Sequence, residues 1–351
     1  SYGDPLDEDY AKARREWEPL IEMMQIKGNS EVHGAFWEAD EFADFENANS
    51  IQKNSNRDFT KRDFVREGLK IGLAHEQQLG VNPFQLGIIG GTDSHNGLMS
   101  DVAEDTFIGG HGPEDGTVDR RRTGGVGGWI DGPDLSIGSI SGVWAPQNTR
   151  AAIFDAMKRR ETFATSGPRI KVRLFGGSDL TLDNDDPVKM VEEGYAKGVP
   201  MGAMLPAATQ SPVFTVYAEK DADGANLDRI QVIKGWLDRD GQTHEKIIDV
   251  VWSGERQADA SGKLPAVGNT VDLTTALYTN DIGAATLMGT WQDGDFDPQQ
   301  RAFYYARVIE IPTPRWSTYD AVRNDLPLLK EVPATIQERA WTSPIWYSPQ
   351  G

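Results

Sequence analysis

The chain has 351 residues, long for one compact domain and comfortable for two, so a sizeable buried core and two units are expected. Asp and Glu number 54 against 35 Lys and Arg, and the net charge of −19 opposes phosphate backbones and anionic surfaces, so nucleic acid is not an expected partner. No apolar run reaches the roughly 18 residues of a membrane span, so no membrane insertion is expected, and the absence of cysteine removes disulfides, thiolate nucleophiles and Cys-ligated zinc together. Any metal must sit on His, Asp, Glu and water. A cysteine-free chain suits a periplasmic, secreted or cytoplasmic location alike, and the opening Ser1 leaves room for an upstream segment.

In chain order, Asp4 and Pro5 read as a helix cap with proline in the first turn, opening a charged helix that runs to about Trp17. Leu20 to Ile26 (LIEMMQI) is a short apolar run, read as a buried strand, and it gives way to a polar loop carrying Glu31 and His33. The clearest helix follows: Thr60 to Asp63 resembles a capping box, Phe64, Val65, Leu69, Gly72 and Leu73 recur on one face, and Gly80 stops it. Phe84 to Ile89 is the next strand, and it leads into GGTDSHNG (90–97) with Asp93 and His95. Strand, polar loop, helix, strand, polar loop is the α/β grammar that places functional residues at the carboxyl ends of parallel strands. From Gly97 to about Gly142 a Gly-, Asp- and Arg-rich stretch lacks apolar periodicity, as a lid or mobile segment does. Asn148 or Thr149 then caps a helix with Ala151, Phe154 and Met157 inward, and Glu161 to Thr165 forms another short strand. After about Arg169 the pattern turns all-β. VFTVYAE (213–219) and DRIQVIKGW (228–236) alternate, Asp238 to Gly241 reads as a hairpin turn, and IIDVVW and FYYARVIEI add strands of a sandwich. An α/β unit (1–170) followed by a β-rich, sandwich-like unit (171–351) is the expected organisation.

Residues i and i+2 on an extended backbone share a face, with Cα atoms roughly 6.5 to 7 Å apart, so Asp93 and His95 can both point at one metal ion. A carboxylate oxygen with an imidazole nitrogen suits zinc, manganese or iron, although a plain Asx turn also accounts for these residues. Glu31 and His33 repeat the arrangement after an independent strand, with an exposed acid and a surface histidine as the alternative. His111 reaches a site only if the Gly-rich stretch closes, whereas His75 and His244 read as solvated or structural. Arg160 and Arg169, in RRETFATSGPR (159–169), are candidates for a bidentate clamp on phosphate or sulfate, or else surface ion pairs; Arg120 to Arg122 carry the same two readings. The acidic loops Asp221 to Asn226 and Asp293 to Asp297 offer oxygen ligands for calcium, but they lack the sixth-position glycine and distal Glu of an EF-hand and read as turns. No Walker loop, dinucleotide fingerprint or G-x-S-x-G elbow appears.

The stretches QIKGNSEVH (25–33), GVNPFQLGIIGGTDSHNG (80–97), NTRAAIFDAMKRRETFATSGPRI (148–170) and ERAWTSPIWY (338–347) resemble, in order, the uncharacterised bacterial domain-of-unknown-function family 3604. That family is similar to the PHP superfamily, named for polymerase and histidinol phosphatase, whose members form a distorted seven-stranded β/α barrel around up to three metal ions. The resemblance implies an α/β fold made of the late strands and helices of a PHP-like barrel, followed by a β-sandwich-like domain. It implies a metal-dependent hydrolase of the phosphoesterase type, acting on a small anionic ester with two or three Mn, Fe or Zn ions. Carried over by position, the closing Asp-x-His motif of PHP sites falls on Asp93 and His95, with Glu31 and His33 in a stretch like the family's own motif. The His-x-His pair that opens PHP sites is absent. The chain therefore looks like the C-terminal part of a barrel that an N-terminal polypeptide, in cis or in trans, would complete. Two alternatives stand beside this reading: hydrolysis of a sulfate ester or amide by the same cluster, and a non-catalytic module that binds a glycan or partner through Trp236, Trp252, Trp291, Trp316, Trp341 and Trp346.

Overall fold

The computed structural model describes residues 6–98, 102–181, 186–207, 210–260 and 262–349. Helix α1 (Glu8–Trp17) begins at Asp7, whose carboxylate accepts from the Tyr10 amide at 2.8 Å; the expected Asp4–Pro5 cap lies outside the described residues. Strands β1 (Leu20–Glu22) and β2 (Gly87–Ile89) pair in parallel, Ile21 beside Ile88, and helix α2 (Val65–Leu79) forms between them in the chain. The start and stop of α2 follow the sequence: Thr60 and Asp63 form a capping box around a single 3-10 turn, and Gly80, at φ 74°, takes the left-handed conformation that ends the helix. Its buried line includes Val65, Leu69, Gly72 and Leu73.

Gly72 sits where a β-carbon would meet the Asn82 side-chain oxygen, which is itself fixed by accepting from the Phe84 amide at 2.8 Å. Gly72→Ala should therefore lower stability by about 1–3 kcal/mol despite alanine's better helix propensity, a shift that urea unfolding would read.

The second half is built from β3 (Ile140–Val143), β4 (Thr162–Thr165), β5 (Lys171–Gly177), β6 (Val199–Pro200), β7 (Val213–Glu219), β8 (Leu227–Leu237), β9 (Thr243–Trp252), β10 (Thr286–Gln292), β11 (Arg301–Glu310), β12 (Arg339–Thr342) and β13 (Ile345–Tyr347). A four-stranded sheet runs β6-β5-β7-β10, and a seven-stranded one runs β9-β8-β11-β12-β4-β3, with β13 also on β11. Asp238 caps the β8–β9 hairpin by accepting from the Asp240 and Gln242 amides, as the turn residues foretold.

Alternation along β11 explains the layering. Tyr304, Ala306 and Val308 face the four-stranded sheet with Val172, Phe214 and Ile230, while Phe303 and Tyr305 face the opposite way onto Leu69, Leu73 and Ile88. The central strands are thus buried on both faces, and the chain forms three layers: small sheet, large sheet, and α2 with the β1–β2 pair.

This is a mixed α/β fold with a sandwich, and no closed barrel occurs among the described residues. Among the described residues, parallel pairing is confined to β1 with β2 and an isolated bridge from Met204 to Trp346. Strands β3 to β13 pair antiparallel, a ladder that does not continue a parallel β/α barrel. The large sheet also crosses residue 170, because β3 and β4 pair into it through β12, with Ala340 beside Thr165.

The Gly-rich stretch 97–142 is packed where it is described. Val126, Ile130, Leu135 and Ile137 form a small core with Trp316, Arg121 pairs with Asp320 at 2.6 Å, and Arg122 donates to the Ser317 carbonyl at 2.9 Å. In the helix Arg150–Lys158 the covered line passes through Ile153 and Ala156, leaving Phe154 61% exposed, because a face that includes 153 and 156 turns 154 outward.

Candidate functional site

The two loops that follow β1 and β2 run side by side. Met23 N–H donates to the Ile89 carbonyl at 2.7 Å and Ile26 N–H to the Thr92 carbonyl at 3.1 Å, so the carboxyl ends of the parallel pair open onto one shared surface. Glu22, the last residue of β1, lies over Gly91, where a β-carbon would come within 2.6 Å of its carboxylate. Asp93 takes a left-handed backbone, φ 50°, which a short polar side chain tolerates, and leaves its carboxylate exposed. Lys27 belongs to the same surface. Burial pulls its ammonium pKa down, the nearby Glu22 and Asp93 carboxylates oppose that, and its Nζ donates to Ser30 Oγ at 2.9 Å.

His95 and His111 are brought together by the backbone. His95 N–H donates to the Gly110 carbonyl at 2.6 Å, the Asn96 side-chain Nδ2 donates to the Gly109 carbonyl at 2.7 Å, and the two imidazoles stack with centroids 4.9 Å apart. Asp115, itself buried, accepts from the Gly110 and His111 amides at 2.7 and 2.8 Å and from His111 Nδ1 at 3.3 Å. The loop needs Gly109, both for its φ of 90° and because a β-carbon would meet the Asp115 carboxylate at 2.7 Å. His111 Nε2 makes no hydrogen bond among the described residues. A histidine whose Nδ1–H is held by a fixed carboxylate while Nε2 stays available is the arrangement that second-shell acids impose on metal ligands. Sequence reading missed Asp115, Glu22 and Lys27; the His111-to-Asp115 spacing was visible, but the pairing depends on a tight turn that periodicity does not reveal.

The chemistry of this donor set suits a divalent ion in part: two imidazoles and a carboxylate occupy one loop cluster. Among the described residues, however, no three His, Asp or Glu side chains converge closely enough to hold an ion by themselves. The turn expected from Thr92, Ser94 and Asn96 is also present, with Thr92 Oγ1 accepting from the Ser94 amide and Asn96 Oδ1 from the Leu98 amide.

Glu31 and His33 lie elsewhere. Residues 31–33 carry no strand pairing, so the shared-face rule does not govern them, and the two side chains diverge. Glu31 is buried against the large sheet, where it pairs with Arg66 at 2.5 Å and Arg307 at 3.2 Å and accepts from Tyr305 Oη at 2.5 Å and Trp341 Nε1 at 2.7 Å. Asp40 joins the same cluster, 2.9 Å from Arg66 and 2.7 Å from Arg307. His33 is ringed by Phe36, Phe59 and Phe64; its Nδ1 accepts from the Ala35 amide and its Nε2 meets Asn49 Oδ1 at 2.9 Å. Both ring nitrogens and both carboxylate oxygens already have protein partners.

Arg160 packs against Gly87, the first residue of β2, and donates to the Gly202 carbonyl at 3.0 Å, which puts it at the opposite end of that strand from Asp93. Arg169 is exposed and lines a separate cavity. In the acidic loop 293–297, Asp293 pairs with Lys234, Asp295 with Lys246 and Asp297 with Arg239, so each carboxylate has a protein cation. His75 meets the edge of Phe84, and His244 pairs with Asp238 at 2.7 Å. Trp316, Trp341 and Trp346 are buried.

The stretches that carry His95 and Asp93 belong to a recognisable whole, because a family model described as "Protein of unknown function (DUF3604)" matches residues 1–349. The chain belongs to that family. No curated protein and no solved structure matches it. In this DUF3604 chain no helix among the described residues is long and apolar enough to cross a membrane.

Proposed function

We propose that this chain forms part of a metal-dependent hydrolase of the phosphoesterase type, related to the PHP enzymes, with the functional surface at the carboxyl ends of β1 and β2. The observation that carries the reading is His111: Asp115 fixes its Nδ1, its Nε2 is available, and it stacks on His95, two residues after Asp93. His111, together with Asp93 or His95, would contribute to a Mn, Fe or Zn site there, and the remaining ligands would come from water or from an N-terminal polypeptide that extends the β1–β2 pair toward a barrel. When bound, such an ion lowers the pKa of water and polarises a phosphoryl oxygen.

The chain's own residues supply the rest. Asp115 holds the His111 tautomer, Gly109 and Gly110 let the two loops approach, and Lys27 is the cation whose charge couples to Asp93 and Glu22. Lys27 would position an anionic ester, the role that sequence spacing had suggested for Arg160 and Arg169. A sulfate ester would meet the same groups.

The test is hydrolysis of a panel of phosphate and sulfate esters by the full-length protein. Turnover should be abolished by EDTA and restored by manganese, and Asp93→Ala and His95→Ala should each lose it by roughly a hundredfold or more. Retention of both metal content and turnover in the two variants would overturn the reading.

A further inference from the structure

A second constellation lies at one end of the large sheet, independent of the site above. Glu310 is the last residue of β11 and Glu338 directly precedes β12, and the Glu310 amide donates to the Glu338 carbonyl at 2.8 Å. With Glu104 they line a cavity of about 410 Å³, within the usual range of small-molecule sites. Tyr278 and Tyr319 form part of its wall, and Arg169 stands at its margin.

Two of the three acids have protein partners. Glu338 accepts from the Ser166 hydroxyl, Glu104 accepts from the Trp316 amide, and the two carboxyls share a hydrogen bond. Glu310, 1% exposed, makes no side-chain hydrogen bond among the described residues, and its Oε1, like Glu338 Oε1, is buried without a partner. Buried carboxyl oxygens are ordinarily satisfied, and one left open against a cavity points to a group that comes from outside. Among the described residues no lysine or arginine forms an ion pair with Glu310. Lys220 donates to the carbonyls of Asp221 and Gly224, and Arg315 is held by Glu46 at 2.7 Å. The wall also carries Asp105, Asp221 and Asp223, so its acids outnumber its one guanidinium.

We propose that this cavity binds a small organic molecule bearing a primary ammonium group, with the Glu310 carboxylate as its anchor and the Tyr278 and Tyr319 rings beside it. An organic cation fits better than a metal ion, because among the described residues no three carboxylates or imidazoles are arranged to share one. An ammonium needs only a charge-assisted hydrogen bond and aromatic faces. Burial, reinforced by Asp221 and opposed by Lys220, pushes the Glu310 carboxyl well above its usual range. Burial likewise raises Glu104, with Glu338 and Glu46 adding to it, and brings Glu338 up to about 8. The empty cavity therefore favours the protonated form of these acids. An arriving ammonium takes the place of a proton, so binding releases protons and tightens as pH rises toward 8. Tyr278 faces the same acids and stays neutral throughout, since burial, Glu310 and Asp105 raise its pKa.

Calorimetric titration of the full chain with putrescine, agmatine and glucosamine, against 1,4-butanediol and glucose, tests this. At least one amine should bind with proton release, and neither neutral compound should bind comparably. Glu310→Gln should weaken the amine about ten- to a hundredfold without lowering the melting temperature, since it replaces a carboxyl that makes no hydrogen bond with the protein by an amide that cannot ionise. Tyr278→Ala, on a half-buried loop position, should weaken it several-fold and gives a second reading if the first variant folds poorly. The proposal is overturned if no amine binds at millimolar concentration, if a neutral counterpart binds as well, if Glu310→Gln binds as tightly as the parent, or if calcium or manganese is the species that Glu310→Gln loses.

Discussion

Arg307→Ala should destabilise the chain by about 3–5 kcal/mol, a large share of the roughly 5–15 kcal/mol by which folded domains are stable. Arg307 is fully buried and reaches Glu31 at 3.2 Å, Asp40 at 2.7 Å and Gln231 at 2.7 Å; removing it leaves the two carboxylates with Arg66 as their remaining direct ion-pair partner among the described residues. Burial alone would push the Glu31 carboxyl up, yet Arg307 and Arg66 more than offset it and hold it at about 2, and the same pair holds Asp40 lower still. Depressed carboxyl pKa values stabilise the fold above the ordinary carboxylate range. That contribution is present at neutral pH and is lost as pH falls from about 4 through 2. Urea unfolding at neutral pH and at pH about 3 measures both effects: the parent should weaken on acidification, and Arg307→Ala should be weak at both. Glu31→Gln should destabilise through the same network while leaving metal uptake unchanged. Loss of metal without loss of stability would instead make Glu31 a ligand.

His111→Ala and Asp115→Asn should each lower the affinity for manganese or zinc by about ten- to a hundredfold. Asp115 touches no ion in this account; it acts through His111, whose Nδ1 it holds at 3.3 Å while two backbone amides fix its own carboxylate. A purely structural role would weaken the loop but spare the metal. Thr117→Ala separates the two, because Thr117 caps the following short helix through the Arg120 amide and lies outside the site. That variant should loosen the same loop by about 1 kcal/mol and retain the affinity of the parent. Equal losses in all three variants would assign the effect to loop stability.

The parts of this molecule that were legible in its sequence are the local ones. The capping box at Thr60 and Asp63, the stop at Gly80, the Asp238 hairpin and the apolar runs of β1 and β2 each follow from neighbours a few residues apart. Asp93 and His95 stood out because they follow closely on the end of β2. What escaped was set by distant partners. Glu31 looked like a mate for His33, but its partners are Arg66, Tyr305, Arg307 and Trp341, and nothing near Glu31 announces them. The break in pattern at residue 170 was real in composition, yet β4 lies beside β12, so the change from α/β to all-β does not coincide with the edge of the large sheet. The Gly-rich stretch read as mobile because its apolar residues lack a period; Val126, Ile130, Leu135 and Ile137 pack one at a time around Trp316. The cavity at Glu310 gave no sequence signal, since its walls come from several separate segments.

The most direct test of the central claim is metal stoichiometry, measured by titration and elemental analysis on one preparation of the chain and of His95→Ala/His111→Ala. The account predicts uptake of at least one equivalent of manganese, iron or zinc by the parent and loss of that equivalent in the double variant. Uptake that is equal in both, or absent from the parent, would contradict it.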